Sequence, residues 1–111
     1  ATVLNEIADA SGVSISVDEE HTPIRPEVKG FCEILGLDPL YIANEGKLVA
    51  VVPPEEADAA LRALRSDPLG QDAEIIGEVG RGEPGRVTMR TVFGGVRIVD
   101  MLVGEQLPRI C

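Results

Sequence analysis

Lys47-Leu48-Val49-Ala50-Val51-Val52 runs straight into Pro53-Pro54-Glu55-Glu56. A strand with one wet face alternates apolar and polar residues. An unbroken Leu/Val run instead predicts a strand covered on both faces, central in its sheet. The prolines and acids that follow predict a helix start, because Pro fits the first turn and carboxylates favour the positive end of the helix dipole. Ala57, Ala60, Leu61 and Leu64 then recur at helical spacing, and Pro68 ends the stretch. Residues 74–79 read as the next strand. Strand, helix and strand in succession predict a βαβ unit with a right-handed parallel crossover.

Working outward, Thr2–Ser11 predicts a short amphipathic helix with Val3, Leu4, Ile7 and Ala8 on one side and Gly12 as its stop. Val13, Ile15 and Val17 alternate with Ser14, Ser16 and Asp18, the pattern of a half-buried strand. An acidic loop follows from Asp18 to Pro23. The next helix opens at Pro26 and stops at Gly36. Within it Val28, Phe31, Cys32 and Leu35 share a face, so Cys32 is expected to act as a small buried hydrophobe. Asp38-Pro39 begins a helical turn reaching Ala43, and Asn44-Glu45-Gly46 is a tight turn.

Near the end, residues 86–93 and 96–100 flank Gly94-Gly95, which predicts a two-residue hairpin. That pairing places Val87, Met89, Phe93, Val96 and Ile98 on one face, with Arg86, Thr88, Arg90 and Arg97 on the other. The expected fold is α+β, a mixed β-sheet with helices packed on it over residues 1–100. Residues 101–111 lack periodicity and read as a flexible C-terminal tail.

A length of 111 residues is enough for one domain and too short for two sound cores. Apolar residues make up 44% and aromatics only 3%, with no Trp, so the core must be aliphatic. The formal net charge of −9 argues against a nucleic-acid partner, whose phosphates call for a Lys/Arg excess. No apolar run approaches the roughly 20 residues of a membrane span, so no membrane partner is expected. A disulfide between Cys32 and Cys111 would tie a helix's apolar face to the chain end. Nothing in the pattern asks for one, and a reducing, cytoplasmic compartment is expected. Ala1 leads directly into helical sequence, as in a piece of a longer protein.

Gly80, Gly82 and Gly85 satisfy G-x-G-x-x-G, but a dinucleotide fingerprint must open a helix. Val87-Thr88-Met89 follows instead, so the glycines read as a connection. His21 beside Asp18, Glu19 and Glu20 is a poor transition-metal set, and no metal site is expected. Arg86, Arg90 and Arg97 read as the solvated face of a sheet or as a docking surface for an anionic partner. Glu45 sits just before the apolar run, where loops at sheet ends often place reactive groups; a plain turn residue is the other reading. Cys111, the last residue, is suited to carry a group between sites. Arg109 favours its thiolate, while its own α-carboxylate disfavours it. It is also misplaced for prenylation, which requires the Cys fourth from the end.

Gly104-Glu105-Gln106-Leu107-Pro108-Arg109-Ile110-Cys111 resembles the closing signature of the HypE family, the expression/formation proteins of nickel–iron hydrogenase maturation. Leu37-Asp38-Pro39-Leu40-Tyr41, Ala43-Asn44-Glu45-Gly46-Lys47, Val52-Pro53-Pro54, and Pro68-Leu69-Gly70 before Ile76-Gly77-Glu78-Val79 are similar to the same family. The likeness covers essentially the whole chain. It corresponds to the C-terminal domain of a protein related to the aminoimidazole ribonucleotide (AIR) synthetase superfamily.

The resemblance implies a carbamoyl dehydratase. Cys111 would accept a carbamoyl group from the carbamoyltransferase HypF. The thiocarboxamide would then be dehydrated to a thiocyanate in an ATP-dependent step, and cyanide passed to iron on the HypC–HypD scaffold complex. Glu45 matches the position proposed for proton transfer, with Asn44, Gly46 and Arg109 positioning the substrate. ATP with Mg, and homodimer formation, would belong mainly to an N-terminal domain outside this chain. No cofactor-binding residue is expected within residues 1–111, and the fragment alone is expected to be inactive. The alternative is a non-catalytic interaction module that docks maturation partners.

Overall fold

A helix, α1 (Thr2–Ser11), stops where Gly12 turns left-handed at φ 63° and ψ 31°, a conformation unfavourable for residues with a Cβ. The reversal delivers the chain into β1 (Ser14–Asp18), in which Ile15 and Val17 are buried and Ser16 is exposed. After the helices α2 (Pro26–Leu35) and α3 (Ala57–Arg65) come the strands β2 (Gly77–Gly80), β3 (Val87–Arg90) and β4 (Val96–Ile98). The sheet has four strands in the order β2-β1-β3-β4. β3 runs parallel to β1, while β2 and β4 are antiparallel to their neighbours. The computed structural model describes residues 1–101.

The core lies on one face of this sheet. Ala8 of α1 meets Ile15 and Val17 of β1, Val87 and Met89 of β3, and Val99, while Leu4, Ile7, Leu40, Tyr41 and Ile76 pack around them. Each fully buried Val, Ile or Met side chain contributes about 1.5–3 kcal/mol. Asn5 is the one buried polar side chain among the described residues. Its Nδ2 donates to the Val99 carbonyl at 3.0 Å and to the Ala1 carbonyl at 3.2 Å, holding α1 against the chain that leaves β4. A mixed sheet with helices is the α+β architecture that the sequence predicts.

The 47–52 run departs from its reading. It is not a strand and pairs with no described strand; Leu48, Val49, Val51 and Val52 are 72%, 47%, 59% and 37% exposed. An apolar run records a need for cover, and no described element meets that need. The parallel crossover fails with it. α3 does follow, but the next strand is antiparallel to β1, and among the described residues the only parallel pair is β1 with β3. The ladder reaches Ile76, whose carbonyl accepts from the Asp18 N–H at 2.8 Å. Strand β2 proper then begins at Gly77, where an added Cβ would overlap the Ser16 carbonyl oxygen.

The hairpin register also differs. Thr91 N–H donates to the Gly95 carbonyl at 2.8 Å and Gly94 N–H to the Thr91 carbonyl at 2.9 Å, with Gly94 left-handed at φ 81°. The loop is therefore Val92-Phe93-Gly94, a three-residue connection ending in a left-handed glycine. Arg90 pairs with Val96, Met89 with Arg97 and Thr88 with Ile98. An odd shift of register turns every β4 side chain over. Arg97 thus joins the Met89 face, Val96 and Ile98 join the Thr88 face, and Phe93 stands exposed at the tip. In α2, likewise, Cys32 is buried as predicted, but Val28, Phe31 and Leu35 stay exposed because no described element covers the rest of that face.

Candidate functional site

The Asp38-Pro39 pair does two jobs. Asp38 Oδ1 accepts the Leu40 N–H at 2.9 Å, starting a single 3₁₀ turn over Pro39–Tyr41 with Pro in its first position. The other carboxylate oxygen, Oδ2, pairs with Arg97 Nη2 at 2.8 Å. That contact exists only because the hairpin register brings Arg97 to the core face of β4, beside the Met89 Sδ at 3.5 Å. At the far end of the turn, Tyr41 packs its ring against the core and donates its Oη–H to the Asp100 carbonyl at 3.0 Å. One short turn is thereby fixed to β4 and to the chain leaving it.

Asn44, Glu45 and Gly46 follow on this anchored segment as an exposed stretch that bends at Glu45 and Gly46, with Gly46 at φ 102°. A left-handed backbone there favours glycine. Cys111 and Arg109 lie outside the described residues. The chain that leads to them departs at Asp100 and Met101.

The arginines do not form one face. Arg90 grips Asp18 Oδ2 through Nε at 3.2 Å and Nη2 at 2.9 Å, with His21 Nδ1 at 3.6 Å from the same oxygen. Arg86 binds Glu83 at 2.6 Å, and Arg97 binds Asp38. The hydrogen bond from Arg86 holds the Glu83 carboxyl below its ordinary range and raises Arg86 in turn. Each guanidinium predicted for solvent or a partner already has a carboxylate of its own chain. The acidic loop behaves similarly, since Glu19 Oε2 accepts the Val92 N–H at 3.0 Å and clasps the hairpin.

Among the described residues, no group of three or more His, Cys, Asp or Glu side chains is placed to hold a metal ion. No helix there is long and apolar enough to cross a membrane. Gly80 closes β2, and Gly82 and Gly85 lie in the predicted connection to β3. Gly82 N–H donates to Ser14 Oγ at 2.8 Å, Gly85 N–H donates to the Val13 carbonyl at 2.9 Å, and β3 follows. Asp38 and Tyr41, which the sequence pattern marks only as part of a turn, and Arg97, expected on a solvated or docking face, are joined here by contacts within the chain. Asp before Pro was the available signal, because an Asx side chain readily starts such a turn.

The family described as AIR synthase related protein, C-terminal domain, matches residues 1–90. A Rhodobacter capsulatus protein named carbamoyl dehydratase HypE is 60% identical over 111 residues, which are 100% of this chain and 33% of that protein. A crystal structure of the hydrogenase maturation protein HypE in complex with ATP is similar at a TM-score of 0.89 and 48% identity, covering 97% of this chain and 33% of that one. A crystal structure of a HypE–HypF complex gives 0.82 and 48%, covering 88% of this chain and 32% of its match. The chain spans about a third of the length of the curated relatives it matches.

Proposed function

Because the chain belongs to the AIR synthase related C-terminal domain family, we propose that it is the C-terminal part of an ATP-dependent carbamoyl dehydratase acting in nickel–iron hydrogenase maturation. Cys111 carries the substrate as a thiocarboxamide, and Glu45 takes a proton from its nitrogen. The observation that carries this reading is the anchored turn. Asn44-Glu45-Gly46 follow closely on its C-terminal end, where Tyr41 also bonds the carbonyl of Asp100 on the backbone that leads to Cys111.

Cys111–S–C(=O)–NH₂ and ATP become Cys111–S–C≡N, ADP, phosphate and one proton. An amide oxygen is a poor leaving group, so transfer of the γ-phosphoryl group to it makes that oxygen depart as phosphate. Both N–H protons must leave as the triple bond forms, which requires a base beside the nitrogen. Glu45 serves as that base, Asn44 orients the amide by hydrogen bonds, and Gly46 leaves room for its approach. Arg109 favours the Cys111 thiolate that first accepts the carbamoyl group.

HypF is the carbamoyl donor in this scheme, and the HypC–HypD complex receives the cyanide that becomes an iron ligand. ATP and Mg are assigned to the part of the full-length protein outside this chain, as is homodimer formation. The division into a domain over 1–100 and a carrier segment over 101–111 belongs to the same reading.

Glu45→Gln in the full-length protein keeps the shape and removes the basicity. Mass spectrometry should find Cys111 carbamoylated as in the wild type and its conversion to the cyano adduct slowed about 10²–10⁴-fold. Conversion at the wild-type rate would remove Glu45 from the mechanism. Cys111→Ala separates this reading from a docking module, which would keep its function without the thiol.

A further inference from the structure

Most ion pairs among the described residues are local or lie within the sheet. Arg65 meets Glu74 and Arg86 meets Glu83 nearby in the chain, while Arg90 and Asp18 sit on the paired strands β3 and β1. Arg97 and Asp38 differ. Their 2.8 Å contact joins β4 to a segment outside the sheet, the one that runs on through Pro39–Tyr41 to Glu45. Resting on the reading of Glu45 as the base, we propose that Arg97 is a positioning residue for it, acting through Asp38.

The guanidinium is placed by packing. The pairing of β4 with β3 sets Arg97 opposite Met89, and the same Nη2 that reaches Asp38 lies 3.5 Å from Met89 Sδ. Met89 is buried in the core, so this contact is with a fixed part of the fold. Asp38 divides its two oxygens. Oδ2 takes the guanidinium, and Oδ1 takes the Leu40 N–H at 2.9 Å, which starts the turn. From Ile42, the last residue bonded into that turn, three further residues reach Glu45. They span at most about 11 Å, so a shift of the Asp38 carboxylate passes to Glu45 with little chain to absorb it. A base must come within about 3 Å of the proton it takes, a tolerance much smaller than that span.

The turn does not depend on the pair for its existence. Leu40 and Tyr41 pack against the core by themselves, so loss of Arg97 should loosen the turn rather than unfold it. Both charged side chains are partly exposed, and water screens part of their attraction. The expected effect on rate is accordingly modest.

Arg97→Gln in the full-length protein removes the charge and keeps part of the side chain. Asp38→Asn breaks the same pair and keeps the Oδ1 that starts the turn. In each variant, single-turnover conversion of the carbamoyl adduct to the cyano adduct should slow about 2- to 12-fold, the worth of one hydrogen bond. Carbamoylation, the work of a separate enzyme, should proceed at the wild-type rate. The deciding measurement repeats Arg97→Gln in a Glu45→Gln background. A residue that acts through Glu45 then has no base left to position, so it should slow conversion no further. Wild-type conversion in either pair variant, or the same factor of slowing in both backgrounds, overturns the positioning role. Glu45→Gln alone keeps the two claims apart: if it converts at the wild-type rate, the reading of Glu45 as the base fails whatever Arg97 does.

Discussion

Replacing Asn5 by Asp should destabilise the domain in a pH-dependent way that replacement by Ala does not. Asn5 is 7% exposed, and both partners of its Nδ2 are carbonyl oxygens, of Val99 at 3.0 Å and Ala1 at 3.2 Å. The position therefore demands a donor. Asn5→Ala removes it and leaves the Val99 carbonyl short of a partner, at about 1–3 kcal/mol. That is a large share of the roughly 5–15 kcal/mol typical of a domain. Asn5→Asp at neutral pH goes further, because a carboxylate then faces two oxygen acceptors in a buried site. Protonated, the same carboxyl regains an O–H that can donate to Val99.

Its pKa in the folded state is thus raised above the unfolded value of about 3.9. The folded state binds more protons in that window, so stability falls as pH rises through it and is fully restored below the unfolded pKa. Each unit of elevation corresponds to about 1.4 kcal/mol. Urea unfolding followed by circular dichroism from pH 4 to 8 measures this, with Asn5→Ala run at every pH to cancel the titration of other carboxylates. Asn5→Asp should be the less stable variant at pH 7 and should equal or pass Asn5→Ala near pH 4. Parallel curves across the range would refute the donor requirement.

Gly77→Ala places a Cβ on the Ser16 carbonyl oxygen and 2.8 Å from Val17 Cα, so β2 must move off β1. A loss of about 1–3 kcal/mol is expected, read as a lower urea midpoint; an unchanged midpoint would show that the strands are not this close. Cys32 is 1% exposed, so alkylation under native conditions should modify Cys111 first and leave a Cys111→Ala variant unlabelled until denatured. Equal labelling rates would contradict that order.

Local patterns were legible where the residue that decides an element lies inside it. Gly12 and Gly36 end their helices in the left-handed conformation, and the Ser/Ile/Ser/Val alternation gives β1 its buried and exposed sides. The hairpin departs from the expected form because Gly94-Gly95 satisfies two turns of different length. The three-residue form has its left-handed residue at Gly94, and choosing it reverses β4. Residues 47–52 failed for another reason. Unbroken hydrophobicity reports that a segment wants cover, not which element supplies it or whether that element is in the same chain. Here the run is exposed within a chain that spans about a third of its relatives' length.

The candidate site shows the same division between chemistry and placement. Cys111 stands out by itself as a terminal thiol, whereas Glu45 stands out for its place ahead of an expected strand that the structure does not form, and its role comes from the family resemblance. Asp38, Tyr41 and Arg97 are ordinary residues until the fold joins them. Arg97 illustrates the point most sharply, since the predicted two-residue turn would have left it on the opposite face, away from Met89 and Asp38. The single residue added to that turn brings a guanidinium to Asp38, which in turn starts the 3₁₀ turn carrying Tyr41. The position of the Glu45 loop therefore depends on a glycine conformation some fifty residues further along. No motif within residues 38–46 could have revealed that dependence, because the information lies in the parity of a strand pairing.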